Sequence, residues 1–505
     1  MACMGSNDNY SARPSITKYF GIFSCETLTL RLQNCIAVVI VIPLVAGRLH
    51  RLLQTEANTK GTGKSTKNRS SEGSNQAFNF TIHTALNIAL FPPLFFFSAL
   101  YYTEPWSIFW VLLAHPVLRS SKSSVKAKGS LGRFLLANSF LVAQGVIALL
   151  FRQTNISWIV VFYGGLEAVQ SLESTAIDQT AFKARDLTIQ GVAIRSWESG
   201  HVYDPPVHDA YFQGKIVLLA VSPYLVLLGA FGAFTIWNGG IVLGDKSNHV
   251  ASLHLPQMLY IWPYIAFFSF PLIYPYLVDA LPQACLPQFL RFSNKVRPRV
   301  SVALSFTGLM LCIVHFNTIV HPYLLADNRH YVFYVFRWIL LRHRVAKYLV
   351  IPIYFVCGWA TIMALGGTQV PTISSTQTDR SKGKGSGKGE RGDAVRNRAS
   401  FVIIWLTAAA SSLVTAPLVE PRYFIMPWMM WRLYLPNSIF TSKRALVVKE
   451  SRSRARSYLG APFDRSSLWF ETAWFLLVNS LTMYVFLYRG YEWPQEPGNV
   501  QRFMW

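Results

Sequence analysis

His321-Pro-Tyr-Leu-Leu-Ala-Asp-Asn-Arg-His-Tyr-Val-Phe-Tyr-Val-Phe-Arg337 stands between two apolar runs, near 300–320 and 347–366. It gathers a carboxylate, an amide, two histidines and two arginines at what reads as a membrane boundary. Ionisable groups in such a place cost free energy unless they are solvated, paired or used. The stretch therefore decides two things at once: the chain is a membrane protein, and this is its first candidate site.

Working outward, the 505 residues are 52% hydrophobic and only 14% charged, where a soluble protein carries about a quarter charged residues. Apolar runs of bilayer-spanning length recur, at about 20 residues each. About twelve are expected, near 33–49, 83–103, 106–118, 131–151, 156–172, 215–237, 256–279, 300–320, 347–366, 401–418, 422–436 and 467–488. The third and eleventh are short, which suits segments tilted or buried against neighbours. The fold class is thus an all-α polytopic membrane protein with short motif loops. A net charge of +23 could suggest nucleic acid. The basic residues instead sit in loops between spans, so the positive-inside bias accounts for them and no nucleic-acid partner is expected. The six cysteines form no CxxC pair or Cys/His metal spacing, so neither a disulfide framework nor a metal site is indicated.

The loops fall into two sets. Arg48 to Arg69, Arg119 to Arg133, Arg291 to Arg299, Arg380 to Arg398 and Lys443 to Arg456 are basic. Tyr101 to Ser107, Phe151 to Asn155, Asn238 to Leu255, His321 to His330 and Val419 to Tyr423 are motif-like and nearly free of lysine. Strict alternation of the spans puts each set on its own face, provided that 331–346 does not cross. Arg337, Arg342, His343 and Arg344 suit a helix lying in the interface there. The basic face is expected in the cytosol and the motif face in a lumen. The stretches 54–76 and 370–400 are low in complexity and read as disordered cytosolic loops. Gly61-Thr-Gly-Lys-Ser65 lacks the leading glycine and preceding strand of a phosphate loop. The sequons at Asn68 and Asn79 fall on or near the cytosolic side, and Asn155-Ile-Ser157 lies too close to the bilayer for a glycan.

The motif face supplies isolated carboxylates beside cations. Glu104, Asp245, Asp327 and Glu420 are the candidate acids and bases. Arg152, Gln153, Asn155, Lys246, His249, His321, Asn328, Arg329, His330, Arg337, Arg422 and Tyr423 are the candidate substrate ligands. The sequence has no Ser/His/Asp spacing, HExxH, paired aspartates or nucleotide loop. Guanidinium groups bind phosphate oxygens bidentately, and a carboxylate can take the proton of a hydroxyl as it attacks an activated carbon. Those same cations offset the charge developing on a departing phosphate. Group transfer from a phosphate-bearing lipid is the chemistry that fits.

Phe91-Pro-Pro-Leu-Phe-Phe-Phe-Ser-Ala-Leu-Tyr-Tyr-Thr-Glu104, Phe151-Arg-Gln-Thr-Asn-Ile156, Gly244-Asp-Lys-Ser-Asn-His249, His254-Leu-Pro-Gln-Met258, His321 to Tyr334 and Glu420-Pro-Arg-Tyr-Phe424 together resemble the DIE2/ALG10 family. The resemblance runs from about residue 24 to the C-terminus. It implies a GT-C-like membrane enzyme of the endoplasmic reticulum, with site loops facing the lumen and no cofactor. The donor would be dolichyl-phosphate glucose and the acceptor a diglucosylated oligosaccharide on dolichyl diphosphate. The new bond would be α-1,2, formed with inversion, as a step of N-glycan precursor assembly. The family's usual first span and acidic first loop, the natural place for a base, have no counterpart here. Residues 1–31 are read as an atypical segment, and an N-terminally shortened chain is expected. The family also places Asp where Glu104 stands.

In outline, residues 32–490 form the membrane domain and 491–505 a C-terminal tail. Two other classes are weighed: a membrane interaction protein of the same descent without activity, and a multi-span transporter. Buried charges along the spans would mark the transporter, and the ionisable residues here lie mostly at span ends.

Overall fold

The computed structural model describes residues 27–61, 71–116, 131–175, 214–241, 252–280, 298–366, 397, 399–416, 418–436, 466–492 and 498–505. These are almost wholly helical. In chain order they form α1 (Thr27–Ile36), α2 (Ile42–Gly61), α3 (Ser71–Ala89), α4 (Pro92–Ser98), α5 (Glu104–Leu113), α6 (Leu131–Phe151), α7 (Gly164–Thr175), α8 (Gly214–Asn238) and α9 (Gln257–Phe268). There follow α10 (Phe270–Ala280), α11 (Val300–Asn317), α12 (Pro322–Ala326), α13 (Tyr331–Tyr334), α14 (Ala346–Leu349), α15 (Ile351–Gly366), α16 (Ala399–Leu413), α17 (Ile425–Leu433) and α18 (Ser466–Tyr488). A short hairpin, β1 (Tyr491–Glu492) with β2 (Val500–Gln501), closes the chain.

The chain is an all-α multi-pass membrane protein, and helix lies within each of the twelve expected stretches. Their lengths differ from expectation. Among the described residues five helices are long and apolar enough to cross a bilayer: Thr27–Thr55, Val217–Asn238, Val300–Asn317, Ala346–Gly366 and Ser467–Tyr488. Two bent pairs bring the number to seven. The stretch 83–103 breaks before Pro92 with a 64° bend, and 256–279 breaks at Ser269 with a 107° bend. Proline has no N–H to continue the preceding helix, and it opens α4 at a position where that donor has no helical partner anyway.

The short eleventh stretch becomes α17, all nine of whose residues are buried. Its tryptophans bind neighbours through their indole N–H groups: Trp428 donates to Ser269 Oγ and Trp431 to the Thr361 carbonyl. Trp405 of α16 donates to the Pro427 carbonyl. Phe91 stacks flat on Trp428 at 3.5 Å. A helix apolar on every side but for Arg432 belongs in a core, and side-chain bonds tie α17 to Ser269, α15, α16 and α18. Small residues let neighbours approach: a Cβ on Gly165 would lie 2.9 Å from Ile404 Cγ2, as membrane helix packing favours.

The stretch 331–346 holds one apolar helical piece, Tyr331–Leu340. At about 1.5 Å per residue it reaches only about 15 Å, half a bilayer core. Helix also reaches into both ends of the loop expected at 54–76, since α2 runs to Gly61 and α3 begins at Ser71. Gln54, Glu56, Ala57 and Lys60 are good helix formers. Residues 1–26 and 367–396, with the readings made for them, lie outside the described residues.

Candidate functional site

Glu104 is placed by its own backbone. It opens α5 beside Pro105, with its side chain 3% exposed. A carboxylate in the first turn of a helix is favoured by the helix dipole. The loop leading to it is tied down by Asn34 of α1, whose amide donates to the carbonyls of Leu100 (2.7 Å) and Tyr102 (2.8 Å). One turn into α5, Ser107 exchanges hydrogen bonds with Asn155, whose amide also donates to the Ala148 carbonyl at 2.8 Å. Asn155 is thus a buried brace and its sequon is sealed. The brace brings the turn after α6 onto α5, and Arg152 Nη1 meets Glu104 Oε1 at 2.6 Å.

Arg422 comes from the loop between α16 and α17. It lies 3.6 Å from the same Glu104 oxygen, and its Nε donates to Glu420. The guanidinium of Arg422 faces the rings of Tyr102 and Tyr423 at 5.4 and 5.6 Å, and that of Arg152 faces Tyr423 at 5.2 Å. Aromatic faces hold cations by their quadrupole, so Tyr423 is a platform for both arginines. The other Glu104 oxygen, Oε2, is buried with no hydrogen-bond partner among the described residues. The loop carrying Glu420 is itself anchored. The Gln257 amide donates to the carbonyls of Ala416 and Leu418, both at 2.9 Å, and His254 N donates to the Val414 carbonyl at 2.8 Å.

Glu420 connects this cluster to a cavity of about 430 Å³. On one side the cavity is lined by Asp327, Arg329, His330 and Phe333; on the other by Leu418, Val419, Glu420 and Pro421; Gln501 completes the rim. Arg329 grips Asp327 through Nε and Nη2 at 2.6–3.0 Å, and its backbone N–H donates to the same carboxylate at 3.0 Å. Those bonds hold the Asp327 carboxyl below its usual range, against partial burial that acts the other way. His330 Nε2 stands 3.7 Å from the carboxylate. Both carboxylates line the cavity; Arg329 engages both oxygens of Asp327, whereas Arg422 engages Glu420 through Oε2, so Glu420 is the carboxylate better placed to meet a hydroxyl.

The remaining expected residues separate. His321 caps α12, its Nδ1 accepting from Tyr323 N at 3.3 Å. Asn328 accepts from the Tyr491 hydroxyl at 2.6 Å. Gln153 contributes a backbone carbonyl to the turn after α6, accepting from Ile156 N at 3.2 Å. Arg337 is exposed on the short apolar helix, over the Phe333 ring at 5.5 Å and away from the cavity lining. Asp245, Lys246 and His249 lie outside the described residues. Sequence reasoning missed Asn34, Ser107, Gln257, Tyr102 and Gln501. An amide inside an apolar run, as at Asn34, was the available signal for the first. Among the described residues no three His, Cys, Asp or Glu side chains converge as metal ligands would.

Three carboxylates and three guanidiniums thus converge from the segments 102–107, 152–155, 327–330 and 420–423, beside a cavity large enough for a sugar. The sequence matches the model of the DIE2/ALG10 family over residues 10–433. A protein of Aspergillus fumigatus named Dol-P-Glc:Glc(2)Man(9)GlcNAc(2)-PP-Dol alpha-1,2-glucosyltransferase is 39% identical, covering 94% of this chain and 84% of its own length. Proteins of the same name from Emericella nidulans and Mus musculus are 38% and 31% identical, covering 94% and 84% of this chain and 84% and 73% of their own lengths. No solved structure matches the chain. With a family match across most of its length and relatives aligned over nearly all of it, the chain belongs to the DIE2/ALG10 family.

Proposed function

We propose that this chain is an inverting α-1,2-glucosyltransferase of the endoplasmic-reticulum membrane. It moves glucose from dolichyl-phosphate glucose to the diglucosylated, mannose-rich oligosaccharide on dolichyl diphosphate, with its motif loops on the lumenal side. The observation that carries this reading is one wall-to-wall juxtaposition: Glu420 lines the same cavity as Asp327 and Arg329, and its own partner Arg422 reaches Glu104.

In the reaction the acceptor hydroxyl oxygen bonds to the anomeric carbon of glucose from the face opposite the phosphate. The bond from that carbon to the phosphate oxygen breaks, and its electron pair leaves with dolichyl phosphate. Glu420 takes the hydroxyl proton. Arg329 and Arg422 stand where the charge on the departing phosphate grows, and guanidinium is suited to two oxygens at once. Glu104 balances Arg152 and Arg422, keeping two guanidiniums close together before the anionic donor arrives. Asp327 orients Arg329. One base and a single displacement suffice for inversion.

The test is conversion. The chain expressed in microsomes lacking the terminal glucosylation step should turn the diglucosylated lipid-linked oligosaccharide into the triglucosylated one, and the Glu420→Gln variant should not. Folded, membrane-inserted protein that leaves the diglucosylated species unchanged would overturn the reading.

A further inference from the structure

The segment 498–505 lies beyond the family match, which ends at residue 433, and the sequence marked it only as a tail. It is seated by independent contacts. Arg502 Nη1 donates to the carbonyls of Phe486 and Leu487, at the end of α18, at 2.7 and 2.9 Å. Met504 forms a backbone bridge with the 329–331 segment: its N–H donates to the Arg329 carbonyl at 2.8 Å and its carbonyl accepts from Tyr331 N at 3.2 Å. Phe503 lies against Tyr491 and Tyr331, and Trp505 against Tyr331 and Phe268. Between these anchors, β2 pairs with β1 and sets Gln501 opposite Tyr491. Gln501 Oε1 accepts from Arg329 Nη1 at 2.9 Å and lines the cavity.

The Arg329 guanidinium is therefore held at two edges, by Asp327 through Nε and Nη2 and by Gln501 through Nη1. A fork held at one edge only can pivot about that edge; a second contact fixes its plane. Tyr491 adds a parallel tie to the neighbouring Asn328.

We propose that the C-terminal segment is a wall of the site and that Gln501 is a positioning residue: it sets the plane in which Arg329 meets the donor's phosphate. The inference rests on the reading of Arg329 as a phosphate ligand. Losing one hydrogen bond to a charged group should cost about tenfold, and a positioning role puts that loss in donor binding.

Gln501→Met keeps reach and bulk but removes the acceptor. It should raise KM for dolichyl-phosphate glucose about tenfold, leave kcat within about twofold, and keep the thermal midpoint of the detergent-solubilised protein. Arg329→Lys keeps the charge without the fork and should raise the same KM by a comparable or larger factor. Combined, the two substitutions should be no worse than Arg329→Lys alone, because Gln501 acts through that guanidinium. A silent Arg329→Lys would overturn the phosphate-ligand reading itself. A costly Arg329→Lys beside a silent Gln501→Met, or factors that multiply in full, would overturn the positioning role and leave Arg329 its own. A KM change for the oligosaccharide acceptor alone would likewise overturn it.

Discussion

Two glutamate–arginine clusters stand at the two ends of α17, about ten residues and so about 15 Å apart along the helix. At its C-terminal end Arg432 and Glu471 are 1% and 0% exposed. Both oxygens of Glu471 are occupied: Arg432 donates to Oε1 at 2.8 Å and Oε2 at 2.7 Å, and Asn87 donates to Oε2 at 2.8 Å. Asn87 in turn accepts from Thr472, which meets His83. At the other end Glu104 is just as buried, but its cations Arg152 and Arg422 are 21% and 28% exposed and its Oε2 has no partner among the described residues. The same residue types thus make a joint sealed from solvent between α3, α17 and α18 in one place, with both carboxylate oxygens met, and a partly exposed set with one carboxylate oxygen unmet in the other. A buried carboxylate with every oxygen met has nothing left to offer a substrate. One that shares two half-open guanidiniums next to a cavity has.

The contrast is sharpest under substitution. Arg432→Ala would leave the Glu471 carboxyl buried without its cation, at a cost of about 3–5 kcal/mol, so the protein should fail to accumulate as a monodisperse species in detergent. Replacing both partners, Arg432→Met with Glu471→Leu, should restore folding and keep transfer. A double variant that folds well yet transfers nothing would break the distinction between joint and site.

At the open end the expected losses are in chemistry and not in folding. Glu420→Gln should lower transfer by about 10²–10⁴-fold with an unchanged thermal midpoint. Asp327→Asn and Arg329→Ala should abolish transfer at normal protein levels. Wild-type transfer by both would make that clasp a structural element like the Arg432–Glu471 joint. Arg152→Lys, which keeps the charge but not the fork, should raise KM for the lipid-phosphate donor by about tenfold; an unchanged KM would assign Arg152 to the joint-like class.

The smallest effect concerns pH. Asp327 has its pKa depressed in the folded state below the ordinary 3.8, so its stabilising contribution is fully present above that ordinary value. It is lost only as pH falls through the lower, folded value. The difference in thermal midpoint between wild type and Asp327→Asn should therefore stay constant from about pH 7 to pH 5 and shrink only under stronger acid. A difference that shrinks between pH 7 and pH 5 would show that Arg329 does not hold Asp327 as tightly as the geometry gives.

Much of the site was legible in the chain because ionisable residues in apolar surroundings need a reason. Glu104, Arg152, Asp327, Arg329, Glu420 and Arg422 stood out in that way, and the structure gathers all six. His321 and Asn155 carry the same outward signal but act as a cap and a brace. A lone polar side chain near a helix end looks alike whether its partner is a backbone group or a substrate. Arg432 and Glu471 were passed over because each lies near a span end, where exposure is the ordinary expectation. Only packing shows that both are sealed.

By itself the sequence determined the membrane class, the helical content, the family and the polar motifs, because hydropathy and short-range residue chemistry are local properties. The tertiary structure decided which helices are long enough to cross, where proline and Ser269 bend them, and that α17 is buried along its whole length. It also decided that Gln501, more than 170 positions from Arg329, completes the cavity rim. Those facts depend on which distant segments share a surface. Contacts between spans are set by packing and by the pairing of buried polar groups, and no window along the chain contains both partners.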